Sequence, residues 1–455
     1  MTRTVIEGGY VLPMTGRDKL YPGGVVAFDG QRLVYVGDRA GFDAEAFQAD
    51  ETISAAGRAV LPGLINTHIH LIGAYLKGVT EDVPGGSAGS GLFNRALPIL
   101  AECRDPADVY CGALACAMDL VATGTTTMVN TWHRETNVAP AVRDLGCRAS
   151  LSEMLVEIGL SGLNAATLDR AFVAGRLDRQ IEQARQLHAE WNGAADGRIS
   201  VRVSPGGPGY MSMEGMRRAR ALAEELNVGI NVHIAEVPGE TEFAEKLYGK
   251  RPIEIGVETG VLGPDAIAIH CVFMNDADVD LLAQSGAHMS HTSYHVTKRG
   301  YFPPMTMVYA AGVPVALGTD WCSNDLWHYM RAAILTPRAM TGDVTLLDGY
   351  AALEMATMAG ARALGMEDDI GSLAPGKKAD VILLDVTRPW LRPIRPENFA
   401  SNLVYNASGA DVTDVWVDGR PIYRNRRFTT VDQDAALDEV QSRAEAIWKR
   451  AEANF

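Results

Sequence analysis

Short runs that alternate apolar with polar residues, TVIEGGYVLPM, GGVVAFDG and RLVYVGD, fill residues 1–57 and are broken by Gly and Asp. That texture belongs to small antiparallel strands joined by tight turns. It returns beyond residue 370, in KADVILLD and DVWVDGRPIYRNRR. Two strand-rich ends around a long middle predict one small β-sandwich built from both, residues 1–57 with residues 370–455.

The middle, residues 58–369, alternates on a longer scale. Strand-like apolar runs occur at residues 59–66, 125–130, 149–155, 199–204, 229–234, 266–270, 287–291 and 313–319. Helix-period stretches separate most of them, among them residues 106–121 after Asp105, 177–191 and 213–226. Eight such alternations in about 260 residues predict an α/β fold closed into a (β/α)8 barrel of the TIM type. An open doubly wound sheet competes with it, but no Gly-x-Gly-x-x-Gly turn follows the first strand to support a dinucleotide-binding version. One low-complexity tract, GGSAGSG at residues 85–91, follows the first barrel strand. It reads either as a surface loop or as a lid over the face where barrel active sites form.

Composition narrows the functional classes. With 47% hydrophobic and 21% charged residues the chain can build a sizeable core. A net charge of −15, with no basic block longer than RNRR at Arg424, argues against nucleic acid as a partner. Six cysteines, Cys103, Cys111, Cys116, Cys147, Cys271 and Cys322, contain no Cys-x-x-Cys pair and fit a reducing compartment. The first residues lack the pattern of a secretory signal, and no apolar run approaches the ~18 residues of a membrane span. The expectation is a cytoplasmic protein acting on small molecules, with no membrane partner.

Barrel chemistry gathers at the carboxyl ends of the strands. The first strand ends in Asn66, Thr67, His68, Ile69 and His70, the fifth in His233, Ile234, Ala235 and Glu236, the sixth in His270, and the eighth in Thr319 and Asp320. Residues i and i+2 of a strand point the same way, so His68 and His70 reach one mouth together. Taken singly, these residues have ordinary readings as a turn, a hydrogen-bonded core histidine or a helix-start carboxylate. Together, three histidines and an aspartate from strands one, five and eight supply a nitrogen-rich site with one carboxylate, suited to a borderline divalent ion.

The strings LPGLINTHIH, NVHIAE, AIHCV and ALGTD, followed by MATMAGARALGM and IGSLAPGKKADVILLD, resemble the amidohydrolase superfamily, in its branch of cytosine-deaminase-like and s-triazine hydrolases. The resemblance runs essentially from end to end. It implies a distorted barrel beside a β-sandwich made from both chain ends. It also implies one divalent ion per chain held by His68, His70, His233 and Asp320, with zinc ahead of iron, manganese and cobalt. Binuclear relatives bridge two ions with a carboxylated lysine on the fourth strand, and residues 199–204 contain no Lys. Relatives of this kind commonly form homo-oligomers.

The chemistry so implied is hydrolysis at an sp² carbon by water that the ion activates. Glu236 would move the proton, His270 would orient the nucleophile or stabilise the tetrahedral oxygen, and Asp320 would share the ion and the proton traffic. The leading expectation is loss of an amine or ammonia from a nitrogen heterocycle. Cleavage of a urea, amide or carbamate-like C–N bond, or displacement of chloride, is the alternative with the same site. A non-catalytic metal-binding barrel is the remote one, and Glu236 speaks against it, because a structural site needs no proton shuttle.

Substrate contacts are less sharply marked. Trp132 and His133 close the second strand, where a ring can stack on a planar substrate or pack on a neighbouring loop. Strand seven ends His291, Thr292, Ser293, Tyr294, His295, where branch members carry His-Cys-Pro-x-Ser-Asn. His291 carries over as substrate-facing, with Tyr294 and His295 as added candidates. In GTDWCSND, Asn324 follows Asp320 more closely than in triazine hydrolases and is a further candidate. The Gly/Ser-rich stretch after His70 stands where triazine relatives carry aromatic residues, so no triazine pocket is implied.

Overall fold

The computed structural model describes residues 2–79, 81–82, 95–158, 172–321 and 323–452. The tract at residues 85–91 and Cys322 lie outside the described residues.

Eight barrel strands form in chain order: Leu64–Ile69, Thr125–Trp132, Arg148–Leu155, Ile199–Val201 continued by Ser204–Pro205, Ile230–Ile234, Ala266–His270, His288–His291 and Val315–Leu317. Each pairs in parallel with its neighbour within two half-barrels. Single parallel bridges join the halves at both seams, Val203 to Ile230 and Ile69 to Asp320. At the first seam the Asn231 N–H donates to the Val203 carbonyl at 2.9 Å; at the second, Thr319 and Asp320 N–H groups donate to the His68 carbonyl at 2.8 and 2.9 Å. Helices cover the outer face of a parallel barrel, which is why its strands read as near-continuous apolar runs. Leu64–Ile69 and Arg148–Leu155 are buried along their whole length.

The helices between them follow their sequence signals. Pro106–Ala122 starts behind Asp105, whose carboxylate accepts from the Ala107 N–H at 2.9 Å. Met213–Leu226 starts behind Ser212, which accepts from the Gly215 N–H at 2.9 Å. Arg176–Trp191 buries Leu177, Ile181, Ala184 and Leu187 on one face.

The strand expected at residues 59–66 is divided. Arg58–Pro62 joins the flanking sheet, between Val381–Asp385 and Arg3–Val11, and the barrel strand begins only at Leu64. Gly63 makes the break. Its N–H donates to the Asp380 carbonyl at 3.0 Å, and a Cβ there would fall 2.0 Å from Thr126 Oγ1. The break places His68 within the first strand, with His70 just past its end.

Both chain ends build the flanking unit, a nine-stranded sheet among the described residues. Its order runs Arg427–Phe428, Arg420–Arg424, Val412–Val417, Val381–Asp385, Arg58–Pro62, Arg3–Val11, Tyr21–Asp29 and Arg32–Gly37, with Glu51–Ser54 on Arg3–Val11. The edge at Arg32 bridges back to Lys378, so the sheet curls over a core that includes Ile6, Val26, Phe28, Leu383 and Trp416. The last segment departs from the strand-rich expectation for residues 370–455. Gln433–Glu452 is a helix that lies on the barrel, with Arg443 2.8 Å from Asp108 and Trp448 Nε1 donating to the Tyr75 carbonyl at 3.0 Å.

A buried ionic cluster ties the sheet to the amino end of the barrel. Arg148 Nη2 lies 2.6 Å from Asp418 Oδ1 and 3.3 Å from Asp380 Oδ1, and Lys378 Nζ lies 3.2 Å from Asp418. No helix among the described residues is long and apolar enough to cross a membrane.

Candidate active site

The polar residues expected at the strand ends converge. The rings of His68 and His70 lie 4.7 Å apart, and that of His68 lies 4.8 Å from His233 and 5.3 Å from His270. Asp320 closes the circle: Oδ1 is 3.3 Å from His68 Nε2 and 3.1 Å from His70 Nε2, while Oδ2 is 2.8 Å from His295 Nε2 and 3.9 Å from His270 Nε2. All of these side chains are buried.

These approaches lack hydrogen-bond geometry. Both Asp320 oxygens, both nitrogens of His68 and of His295, and His270 Nε2 are buried without a hydrogen-bond partner. Buried polar atoms are almost always paired, so orphaned lone pairs that converge mark a place for a cation. Two triads have ligand atoms within 4.8 Å of one another, His68 with His233 and His270, and His68 with His70 and Asp320. Outer contacts fix two of the rings. His70 Nδ1 donates to the Thr131 carbonyl, and His270 Nδ1 shares a 3.0 Å hydrogen bond with Thr292 Oγ1, so each turns Nε2 inward.

The electrostatics favour the forms that bind metal, neutral imidazole and ionised carboxylate. Burial pushes His68 down to about 4 against the pull of Asp320, and it drives His233 and His270 well below the ordinary histidine range. Burial opposes ionisation of Asp320, but His295, His68 and His70 outweigh it and hold the carboxyl well below its usual value. Glu236 moves the other way: burial raises it, with Arg299 opposing.

The backbone is bent to present these groups. Ala235, His270 and Asp320 take left-handed conformations, with φ of 52°, 76° and 60°, each costing about 1–3 kcal/mol. The turns after strands five and six hold each other, Cys271 N–H donating to the Ile234 carbonyl at 3.1 Å and Val272 N–H to the Ala235 carbonyl at 2.9 Å. Glu240 accepts from the N–H groups of Ala235 at 3.1 Å and Glu236 at 2.8 Å.

His70, Trp132, Tyr210, Glu236, His270 and Trp321 are among the residues around a central cavity of about 30 Å³. A wider one of about 600 Å³ adjoins it, bordered by Trp132, His133, Glu153 and Arg176 among others. Trp132 borders both, edge-on to His70 at 5.2 Å and to Trp321 at 5.0 Å. His133 borders the outer cavity, its Nδ1 3.4 Å from Glu153. His295 turns to Asp320. His291, Tyr294 and Asn324 border neither cavity. His291 is buried, Tyr294 packs on His328 and Tyr329 at 5.6 Å, and Asn324 donates to Asp119 at 3.0 Å and Cys116 at 3.3 Å.

Three site residues escape the sequence reading. Trp321 stacks on His70 with ring centres 4.1 Å apart, and its signal was its place next to Asp320. Glu240 and Arg299 each stand four residues beyond a candidate, Glu236 and His295, the spacing that returns a helix to the same face.

Four imidazoles, the Asp320 carboxylate and the buried Glu236 meet at the carboxyl ends of barrel strands, a donor set suited to a metal-dependent hydrolase. The chain matches the Amidohydrolase family over residues 59–422 and belongs to it. It is 35% identical over 450 residues to a 5-methylthioadenosine/S-adenosylhomocysteine deaminase of Desulforudis audaxviator, covering 98% of this chain and 99% of the relative. An adenosine deaminase from Xanthomonas campestris with bound zinc superposes with a TM-score of 0.88 at 28% identity, over 98% of both chains. Atrazine chlorohydrolase from Arthrobacter aurescens, complexed with zinc, shares the fold with a TM-score of 0.83 at 21% identity over 98% of this chain and 99% of that one. The enzyme is thus a metal-dependent hydrolase acting on C–N bonds, as the resemblance implied.

Proposed function

We propose that the chain is a zinc-dependent deaminase of adenosine-type nucleosides, exchanging the amine of the purine ring for oxygen and releasing ammonia. The observation that carries this reading is Glu236, a buried carboxylate on the central cavity, 3.9 Å from His270 Nε2. The substrate class rests on what the 5-methylthioadenosine/S-adenosylhomocysteine deaminase and the adenosine deaminase are named for. Trp132, at the junction of the two cavities, supplies an aromatic edge for a planar base.

The orphaned donors fit a divalent ion. His68, His70, His233 and Asp320 would hold it, and it would supply the Lewis acidity that makes water nucleophilic near neutral pH. Glu236 takes one proton from the attacking water and delivers it to a ring nitrogen; the second proton, left on the added hydroxyl, passes through Asp320 and Glu236 to the departing amine as the C–N bond breaks. The Glu236 backbone is fixed for that task by Glu240. Asp320 shares the proton traffic. His270, whose Nδ1 shares a hydrogen bond with the Thr292 hydroxyl, turns Nε2 to the site, where it orients the nucleophile or stabilises the oxygen that develops charge.

The test is incubation of the zinc-loaded chain with adenosine, 5-methylthioadenosine and S-adenosylhomocysteine, following ammonia and product mass. Oxygen in place of the amine on an intact purine is the expected product; fragments split at a carbonyl, or no turnover of any of the three, overturn the reading. His68→Ala is expected to lose zinc and activity together, measured by metal analysis of the purified variant, and stoichiometric zinc would remove His68 from the ligand set. The proposal includes a cytoplasmic homo-oligomer, which sedimentation would check. The five described cysteines are all free, as a reducing compartment requires.

A further inference from the structure

We infer that residues 292–299, the end of strand seven and the helix after it, position both catalytic carboxylates, His295 by packing against Asp320 and Arg299 by its hydrogen bond to Glu236. The inference rests on the reading of Asp320 as a ligand and Glu236 as the proton carrier.

His295 lies in the helix Ser293–Lys298 and Arg299 caps its end. Four residues apart on a helix, their side chains project from one face. His295 Nε2 is 2.8 Å from Asp320 Oδ2, and Arg299 Nη1 is 3.5 Å from Glu236 Oε1. The segment is itself anchored at the site. Thr292 Oγ1 bonds His270 Nδ1 at 3.0 Å. Ser293 Oγ donates to the Tyr329 carbonyl at 2.7 Å, and the Tyr329 hydroxyl donates to the carbonyl of Thr319, the residue before Asp320, at 2.5 Å. One short segment therefore touches His270, Glu236 and Asp320 and braces the turn that carries Asp320.

The contacts divide between the carboxylate oxygens. Asp320 is approached on Oδ1 by His68 and His70 and on Oδ2 by His295, so the His295 ring packs on the carboxylate edge opposite the one that faces those two imidazoles and limits its rotation by contact, without a hydrogen bond. Arg299 approaches only Oε1 of Glu236, with the side chain of His270 on the same oxygen at 3.9 Å. His295 does not itself border either cavity but lies behind Asp320, which does, a place that suits a positioning residue rather than a substrate contact.

The experiment uses the full chain loaded with zinc, and adenosine, 5-methylthioadenosine and S-adenosylhomocysteine as probes. Arg299→Met is expected to lower kcat by about a hundredfold, the order of effect of an ångström-scale misplacement. KM should stay within about threefold, because the lost contact acts on the transition state rather than on binding. Zinc content and melting temperature should match the parent, and Arg299→Lys, which restores a cation, should recover most of the loss. His295→Phe is expected to speed zinc loss to a chelator by at least about tenfold, with His295→Gln closer to the parent. A parent-like kcat in Arg299→Met, a change confined to KM, or parent-like zinc loss in His295→Phe would each overturn the inference. If the parent enzyme turns over none of the three nucleosides, the substrate reading fails by itself, and the zinc-loss rates alone decide this one.

Discussion

Glu236→Gln should retain its metal and lose turnover by about 10²–10⁴-fold, the range attributable to a positioned general acid–base. The substitution is nearly isosteric and removes no atom of either metal triad, so the ligand geometry survives. What disappears is the capacity to accept a proton. Burial already lifts Glu236 above the ordinary carboxylate range, with Arg299 opposing, which brings its proton affinity closer to that of the groups it serves. The anchoring N–H contacts to Glu240 are made by backbone and persist in the variant. Steady-state kinetics with metal analysis of the same preparation make the check. Turnover near that of the parent in a metal-replete variant would remove Glu236 from the mechanism, whatever the substrate proves to be.

At the other end of the barrel, Arg148→Ala should destabilise the fold by about 3–5 kcal/mol, the usual cost of removing one partner from a buried ionic cluster. Arg148 is 3% exposed and faces Asp380 and Asp418, of which Asp418 is 0% exposed. Without the guanidinium, Lys378 alone faces Asp418. The pH dependence follows the same contacts. Burial tends to raise Asp418, but Arg148 and Lys378 outweigh it and depress its pKa. A depressed folded value contributes stability that is present above the unfolded value of about 3.9 and is lost as pH falls through the folded one. Deleting Arg148 should therefore move the acid-unfolding midpoint upward. Urea melts at neutral and mildly acidic pH measure both effects, and a loss under about 1 kcal/mol, typical of exposed pairs, would show that the cluster is not a stabilising clasp.

The barrel was legible because its strands are covered on both faces, so each reads as an unbroken apolar run. The site was legible because His68 and His70 alternate across one residue and because His233, His270 and Asp320 close separate strands. The division at Gly63 was hidden by the same feature that revealed the strand, since Arg58–Pro62 and Leu64–Ile69 are both apolar and both buried. The terminal helix Gln433–Glu452 stayed unread because few of its residues are buried, Ala444, Ile447 and Ala451, too few to mark a clear apolar stripe. The roles of Trp321, Glu240 and Arg299 depend on where neighbouring elements pack, and a local pattern carries no such information. The same holds for Asn324, whose amide is claimed by Asp119 and Cys116 from a helix some two hundred residues earlier.

The seams of the barrel give the site a further property. His68 and His70 come from the half-barrel that ends at Ser204–Pro205; His233, His270 and Asp320 come from the half that begins at Ile230. Each of the two triads draws on both halves. A polypeptide cut between the halves would leave neither fragment with a complete triad, so metal affinity reports docking of the two fragments. Metal uptake is then a gauge of ring closure, readable in a split chain before any substrate is known.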